Sequence, residues 1–110
     1  MVYPEPLPPP FIPLQSSHVS LEQVGGKGLN LVKLFRAGFP VPNGFLIPTQ
    51  CYRDFIVENG LDSYLHEGLA RTDLTSPESL QTLSGEIRTQ FGQGSIPQGI
   101  DSTLEIAWRW

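Results

Sequence analysis

Cysteine is almost missing from this chain. Cys51 is the single one among 110 residues, so no disulfide can close within it, as suits a reducing compartment. Charge is sparse as well, and a charged fraction of 16% is not the composition of a disordered polar tail. The little charge there is leans acidic, with eleven Asp and Glu against seven Lys and Arg, which leaves no basic footprint for nucleic acid. No apolar run approaches the ~20 residues of a membrane span. The N-terminus lacks a basic segment followed by an apolar core, so no secretory signal is expected. His18 has no second histidine or carboxylate cluster at ligand spacing, and no metal site is expected in this chain. These absences leave a soluble, cytoplasmic chain of at most one domain, whose 39% hydrophobic residues can build a modest core.

Proline and glycine, by contrast, are plentiful, at eleven each. The opening "MVYPEPLPPPFIPL" holds Pro4, Pro6, Pro8, Pro9, Pro10 and Pro13 and can be neither regular helix nor central strand. Residues 1–17 therefore read as an extended arm that leans on something or floats. An arm without a partner outranks a proline-rich ligand on composition. Beyond it, Ser20 and Gln23 have the spacing of a capping box around a helical turn.

From Leu29 the spacing predicts a helix whose apolar stripe is Leu31, Leu34 and Phe35, with Lys33 and Arg36 near its end and Gly38 and Pro40 as the stop. Pro42, Asn43 and Gly44 then mark a tight turn into a short strand, "FLI". Thr49 is expected to cap a helix with Tyr52, Phe55 and Ile56 on one face and Gly60 at its end. "LDSYLHEGLARTD" predicts a short helix and a loop. Ser76, Pro77 and Glu78 open a further helix with the stripe Leu80, Leu83, Ile87 and Phe91. A last helix, opened by Pro97, carries Ile100, Leu104, Ala107 and Trp108. Trp108 and Trp110 then form an apolar surface that nothing downstream covers. The expectation is a chain that stops inside a helix of something larger.

The stretch "VGGKGLNL", residues 24–31, puts a lysine among glycines at the start of a helical pattern. A helix start carries partial positive charge, so a lysine there is mildly disfavoured, and glycine adds backbone entropy cost. An anion held at that turn offsets both penalties. Glycine lets a backbone approach phosphate oxygens, and a lysine ammonium can reach them. This is not a Walker loop, because Gly28 and Leu29 follow Lys27 where a hydroxyl is required, and the glycine spacing is not that of a dinucleotide fingerprint. On these residues alone an exposed turn outranks a phosphate site.

The wider stretch changes that balance. Gly25 to Gly28, Asn30-Leu31, Leu34, Ala37-Gly38 and Val41-Pro42-Asn43-Gly44-Phe45 occur in an order and spacing that closely resembles the start of the pyruvate/phosphoenolpyruvate-dikinase ATP-binding domain. That family includes phosphoenolpyruvate synthase, pyruvate phosphate dikinase and rifampin phosphotransferase. The later stretch from Ser79 through "EIRTQF" to Ile96-Pro97 resembles the family's following helices, so the likeness covers most of residues 18–110.

The resemblance implies an α+β chain, mostly helical, forming a partial lobe of an ATP-grasp-type nucleotide-binding domain, truncated at its C-terminal end. It implies that Lys27 contacts the phosphates of ATP while Gly25, Gly26 and Gly28 shape the loop, and that residues 41–45 are scaffold. It further implies a parent enzyme that uses ATP and Mg2+, of the pyruvate, water dikinase type. That parent converts ATP, pyruvate and water to phosphoenolpyruvate, AMP and phosphate. The family's arginine in a serine-rich segment, its acidic metal ligands and its phosphocarrier histidine have no match here. Arg88 and Arg109 fit no family motif, and neither His18 nor His66 stands in the phosphocarrier context. Catalytic residues and metal ligands are thus expected to lie outside the chain, with the phosphoryl acceptor bound by domains it lacks, and the chain alone is expected to be inactive. Two other readings stand beside the synthase: a rifampin phosphotransferase-like piece, and a non-catalytic helical module docking through Trp108 and Trp110.

Overall fold

The computed structural model describes residues 7–16 and 18–109. Pro4 and Pro6 of the arm and Trp110 of the terminal apolar pair lie outside the described residues. The elements are mostly helical: β1 (Ile12–Pro13), α1 (Leu21–Arg36), β2 (Phe45–Leu46), α2 (Thr49–Glu58), α3 (Leu61–Arg71), α4 (Pro77–Gln93) and α5 (Ile100–Trp108). The expected α+β character is present, with the β part among the described residues a single antiparallel pair. The chain divides into two compact units, Met1–Tyr52 with Gln98–Trp110, and Arg53–Pro97.

In the first unit the proline segment is tied to the fold. Ile12 pairs with Leu46 and Pro13 with Phe45, and the Leu14 N–H donates to the Gly44 carbonyl at 3.1 Å. Pro13 lacks a donor, which a two-stranded sheet tolerates because each strand has a free edge. Phe11 and Leu14 are both buried, and the Phe11 ring lies 5.3 Å from that of Phe45. Phe11, Cys51 and Ala107 form the centre of this core, with Leu7, Phe45, Ile100 and Leu104 packed around it.

Helix α1 opens with the expected capping box. The Gln23 N–H donates to Ser20 Oγ, and Gln23 Oε1 accepts from the Ser20 N–H at 2.9 Å. It also ends as expected. Gly38 takes φ 88°, its N–H donates to the Phe35 carbonyl, and that of Phe39 reaches back to Leu34, which is a Schellman stop. Between these ends the sequence expectation needs two corrections. The helix starts at Leu21 and not at Leu29, because the capped turn runs on through the glycines with one interruption. Its buried residues are Gly28 and Val32, while Leu31, Leu34 and Phe35 are exposed. The reason is steric: Leu46 of β2 approaches the helix at Gly28, the residue without a side chain, and burial follows that approach.

Four further expectations shift. Thr49 is the first residue of α2 rather than its cap, and the buried residues of that helix are Cys51 and Ile56, with Tyr52 exposed. Pro97 is buried but precedes α5 by a turn, and Gly99 occupies the N-cap position. Trp108 is 84% exposed and does not join Ala107 in the core.

The second unit rests on α3 and α4, which pack on each other. Residues 61–71 form one full helix, longer than the sequence suggests, because the buried face runs from Leu61 to Gly68 and a glycine conceals its periodicity. Gly68 faces Leu83, the buried residue of α4. Ser76 caps α4 through a bond from the Ser79 N–H, and Pro77 follows at the first helical position, as the sequence predicts. Arg71 donates to Glu86 at 3.0 Å. In the connection between the two helices, the Thr75 hydroxyl and then its N–H donate to Asp73, which holds that carboxyl below its ordinary value.

The end of α4 is held by one amide side chain. Asn59 Nδ2 donates to the Ser95 carbonyl at 2.9 Å, and Asn59 Oδ1 accepts from the Ser95 N–H at 2.8 Å. The Phe55 and Phe91 rings sit 5.7 Å apart beside it. A Cβ on Gly94 would stand 2.5 Å from Phe55 Cζ. Gly94→Ala is therefore expected to destabilise the chain by about 1–3 kcal/mol, the usual cost of overpacking. Urea unfolding checks this, and an unchanged midpoint contradicts the packing described.

Candidate functional site

The glycine–lysine stretch lies inside α1. Leu21 to Val24 form one capped turn, and at Gly25 the backbone leaves helical geometry with φ 73° and ψ 176°. L side chains rarely adopt that φ, so the position calls for glycine. Gly26, Lys27 and Gly28 are helical again, so Gly25 is the one residue of the four that bends the chain. Lys27 is exposed in the turn that follows the break, and its ammonium has no ion pair or hydrogen bond among the described residues.

Two contacts hold this turn within the first unit. On the near side, the Thr49 hydroxyl donates to the carbonyl of Glu22, from 27 residues away. On the far side, a Cβ on Gly28 would stand 3.1 Å from Val24 Cβ and 3.4 Å from Leu46 Cδ2. Gly28 thus lets the strand approach the helix closely, a use that the spacing of glycines in the sequence does not reveal. Around Gly25 and Gly26 the space is open, with nothing within 4 Å of where a Cβ would stand. The break thus leaves Gly25 half-buried and Gly26 exposed beside an exposed cation.

His18 is exposed, and His66 lies in α3, where its Nδ1 is 2.8 Å from the Asp62 carbonyl oxygen of its own helix. Arg88 and Arg109 lie on α4 and after α5. Among the described residues, no group of three or more His, Cys, Asp and Glu side chains could hold a metal ion. No helix among them is long and apolar enough to cross a membrane. Sequence reasoning missed Thr49 as a neighbour of the turn, because such a contact leaves no local pattern.

The pyruvate phosphate dikinase AMP/ATP-binding domain matches residues 21–109 of the chain. The chain belongs to that family. A probable phosphoenolpyruvate synthase of Methanothermobacter thermautotrophicus is 35% identical over 80 residues, covering 73% of this chain and 12% of the relative. Another, from Archaeoglobus fulgidus, is 42% identical over 65 residues, 59% of this chain and 9% of the relative. A rifampicin phosphotransferase of Streptomyces sviceus is 38% identical over 86 residues, 76% of this chain and 10% of the relative. The chain thus spans roughly a tenth of the length of these curated relatives. The dikinase-family resemblance read from Gly25 to Phe45 is borne out, and the matched range encloses the whole Gly25 break.

The geometry separates the glycines of this family segment by use. Gly25→Ala is expected to destabilise the chain by about 1 kcal/mol or more, since alanine is strained at positive φ. Gly26→Ala, in open helical space, is expected to be neutral or stabilising by up to about 1 kcal/mol. Thermal unfolding of the two variants distinguishes them, and equal effects contradict the assigned backbone geometry.

Proposed function

We propose that residues 18–110 are part of an ATP-binding unit of the ATP-grasp type and that Lys27 contacts the phosphates of ATP. The observation that carries this reading is Lys27 itself, an exposed ammonium, unpaired among the described residues, in the turn after the Gly25 break and inside the range matched by the AMP/ATP-binding family. Phosphate oxygens approaching there meet a mobile point charge, the favourable field of a helical first turn and open space where Gly25 and Gly26 lack a Cβ. Those features fit a phosphate. The role we assign to this chain is to hold and orient the nucleotide.

In the complete protein the reaction we infer is that of a phosphoenolpyruvate synthase, turning ATP, pyruvate and water into phosphoenolpyruvate, AMP and phosphate. The names of the relatives in Methanothermobacter and Archaeoglobus support that choice. The likeness to a rifampicin phosphotransferase supports a second reading in which an antibiotic takes the phosphoryl group. In both, Lys27 neutralises charge on the phosphates and fixes their position, leaving acceptor chemistry to other parts of the protein. Such a protein works in the cytoplasm, where ATP is supplied.

Replacing Lys27 tests the assignment. In the complete gene product, Lys27→Ala is expected to weaken ATP binding about tenfold or more, the scale of a lost charge-assisted hydrogen bond. The unfolding midpoint is expected to stay put, because the side chain is exposed. Calorimetric titration giving equal affinities for variant and parent removes Lys27 from the site. ATP consumption assayed separately with pyruvate and with rifampicin decides between the two acceptors.

A further inference from the structure

The break in α1 raises a question of support. Gly25 takes the backbone out of helical geometry inside α1, so the turn ahead of it is not held in place by a continuous helix. Glu22 is in that turn, three residues ahead of Gly25, and its carbonyl accepts from the Thr49 hydroxyl. The donor sits on the first residue of α2, whose first turn also carries the buried Cys51, and β2 ends three residues before it. Thr49 thus fastens the detached turn to the core of the first unit. On the other side of the break, Leu46 of β2 abuts Gly28. The backbone that bears Lys27 is consequently held at both flanks, and at the near flank the hold is a side-chain hydrogen bond from Thr49.

We propose that Thr49 is a positioning residue for Lys27: its hydroxyl, by bonding the Glu22 carbonyl, sets where the ammonium stands relative to the phosphates. This rests on the ATP reading given above and adds to it a residue that touches no ligand. Such a role has a distinct signature. Removing the hydroxyl loosens the turn and spreads the positions open to Lys27, so binding energy that depends on Lys27 falls. Binding that does not depend on Lys27 is unaffected.

The test is a double-mutant cycle in the complete gene product, with ATP as the probe. Thr49→Val keeps the branched shape and deletes the donor, while Thr49→Ser keeps the donor. Thr49→Val is expected to weaken ATP binding about threefold or more, and Thr49→Ser to restore it to the parent value. Added to Lys27→Ala, Thr49→Val is expected to cause no further loss, because the two act through one contact. Hydrogen exchange at the amides of residues 24–28 is expected to quicken in Thr49→Val and remain slow in Thr49→Ser. Parent-like affinity in Thr49→Val, full additivity with Lys27→Ala, or unchanged exchange at those amides each overturns the positioning role. A Lys27→Ala protein that binds ATP like the parent instead overturns the ATP reading, whereas the exchange measurement still decides whether Thr49 holds the turn.

Discussion

The backbone at Gly25 is the constraint from which the rest of the candidate site follows. A helix that began at Ser20 and ran uninterrupted to Arg36 would bury its amide donors in its own ladder. It would then offer Lys27 only as one more surface cation. With φ at 73°, Gly25 divides that helix without ending it. The capped turn ahead of the break and the longer helix behind it must each then be anchored by something else. Thr49 supplies the first anchor, and the meeting of Gly28 with Leu46 supplies the second. The energetic logic is that of many functional turns: a backbone geometry open chiefly to glycine is held in place by the contacts around it.

This arrangement also explains why the proline-rich segment packs as it does. Its Ile12 and Pro13 pair with β2, and Phe11 and Leu14 bury themselves in the same unit. The strand that presses on Gly28 is therefore backed by residues near the start of the chain. A two-residue strand has little stability by itself, so β2 depends on that partner and on the aromatic contact between Phe11 and Phe45. The support of the lysine turn thus reaches from residue 11 to residue 49, although the motif occupies four positions.

Much of this was legible in the residues. The capping box at Ser20 and Gln23, the Schellman stop at Gly38 and the Ser76-Pro77 start were readable because each depends on a few neighbours whose chemistry is local. The dikinase-family likeness was readable because its glycine, lysine and proline positions come at fixed spacing. Other features were not readable. Leu31, Leu34 and Phe35 point to an apolar stripe on α1 because large apolar residues normally mark a buried face. The face that is buried instead centres on Gly28 and Val32, since close approach of a strand favours the absence of a side chain. Trp108 misled in the same way, being large and apolar yet 84% exposed.

What the sequence by itself determined is where the backbone can bend and which helix ends are capped, together with the family to which those signals belong. The physical reason is that such preferences are properties of single residues and their nearest neighbours: the missing Cβ of glycine, the closed ring of proline, a serine oxygen within reach of an N–H. The tertiary structure alone decided which side of each helix is buried, that Thr49 meets Glu22, and that Gly28 makes room for Leu46. Those outcomes depend on contacts between positions far apart in the chain. They exist only once the β1–β2 pair and α1 have come together, and no residue carries a local mark of a partner that folding has yet to deliver.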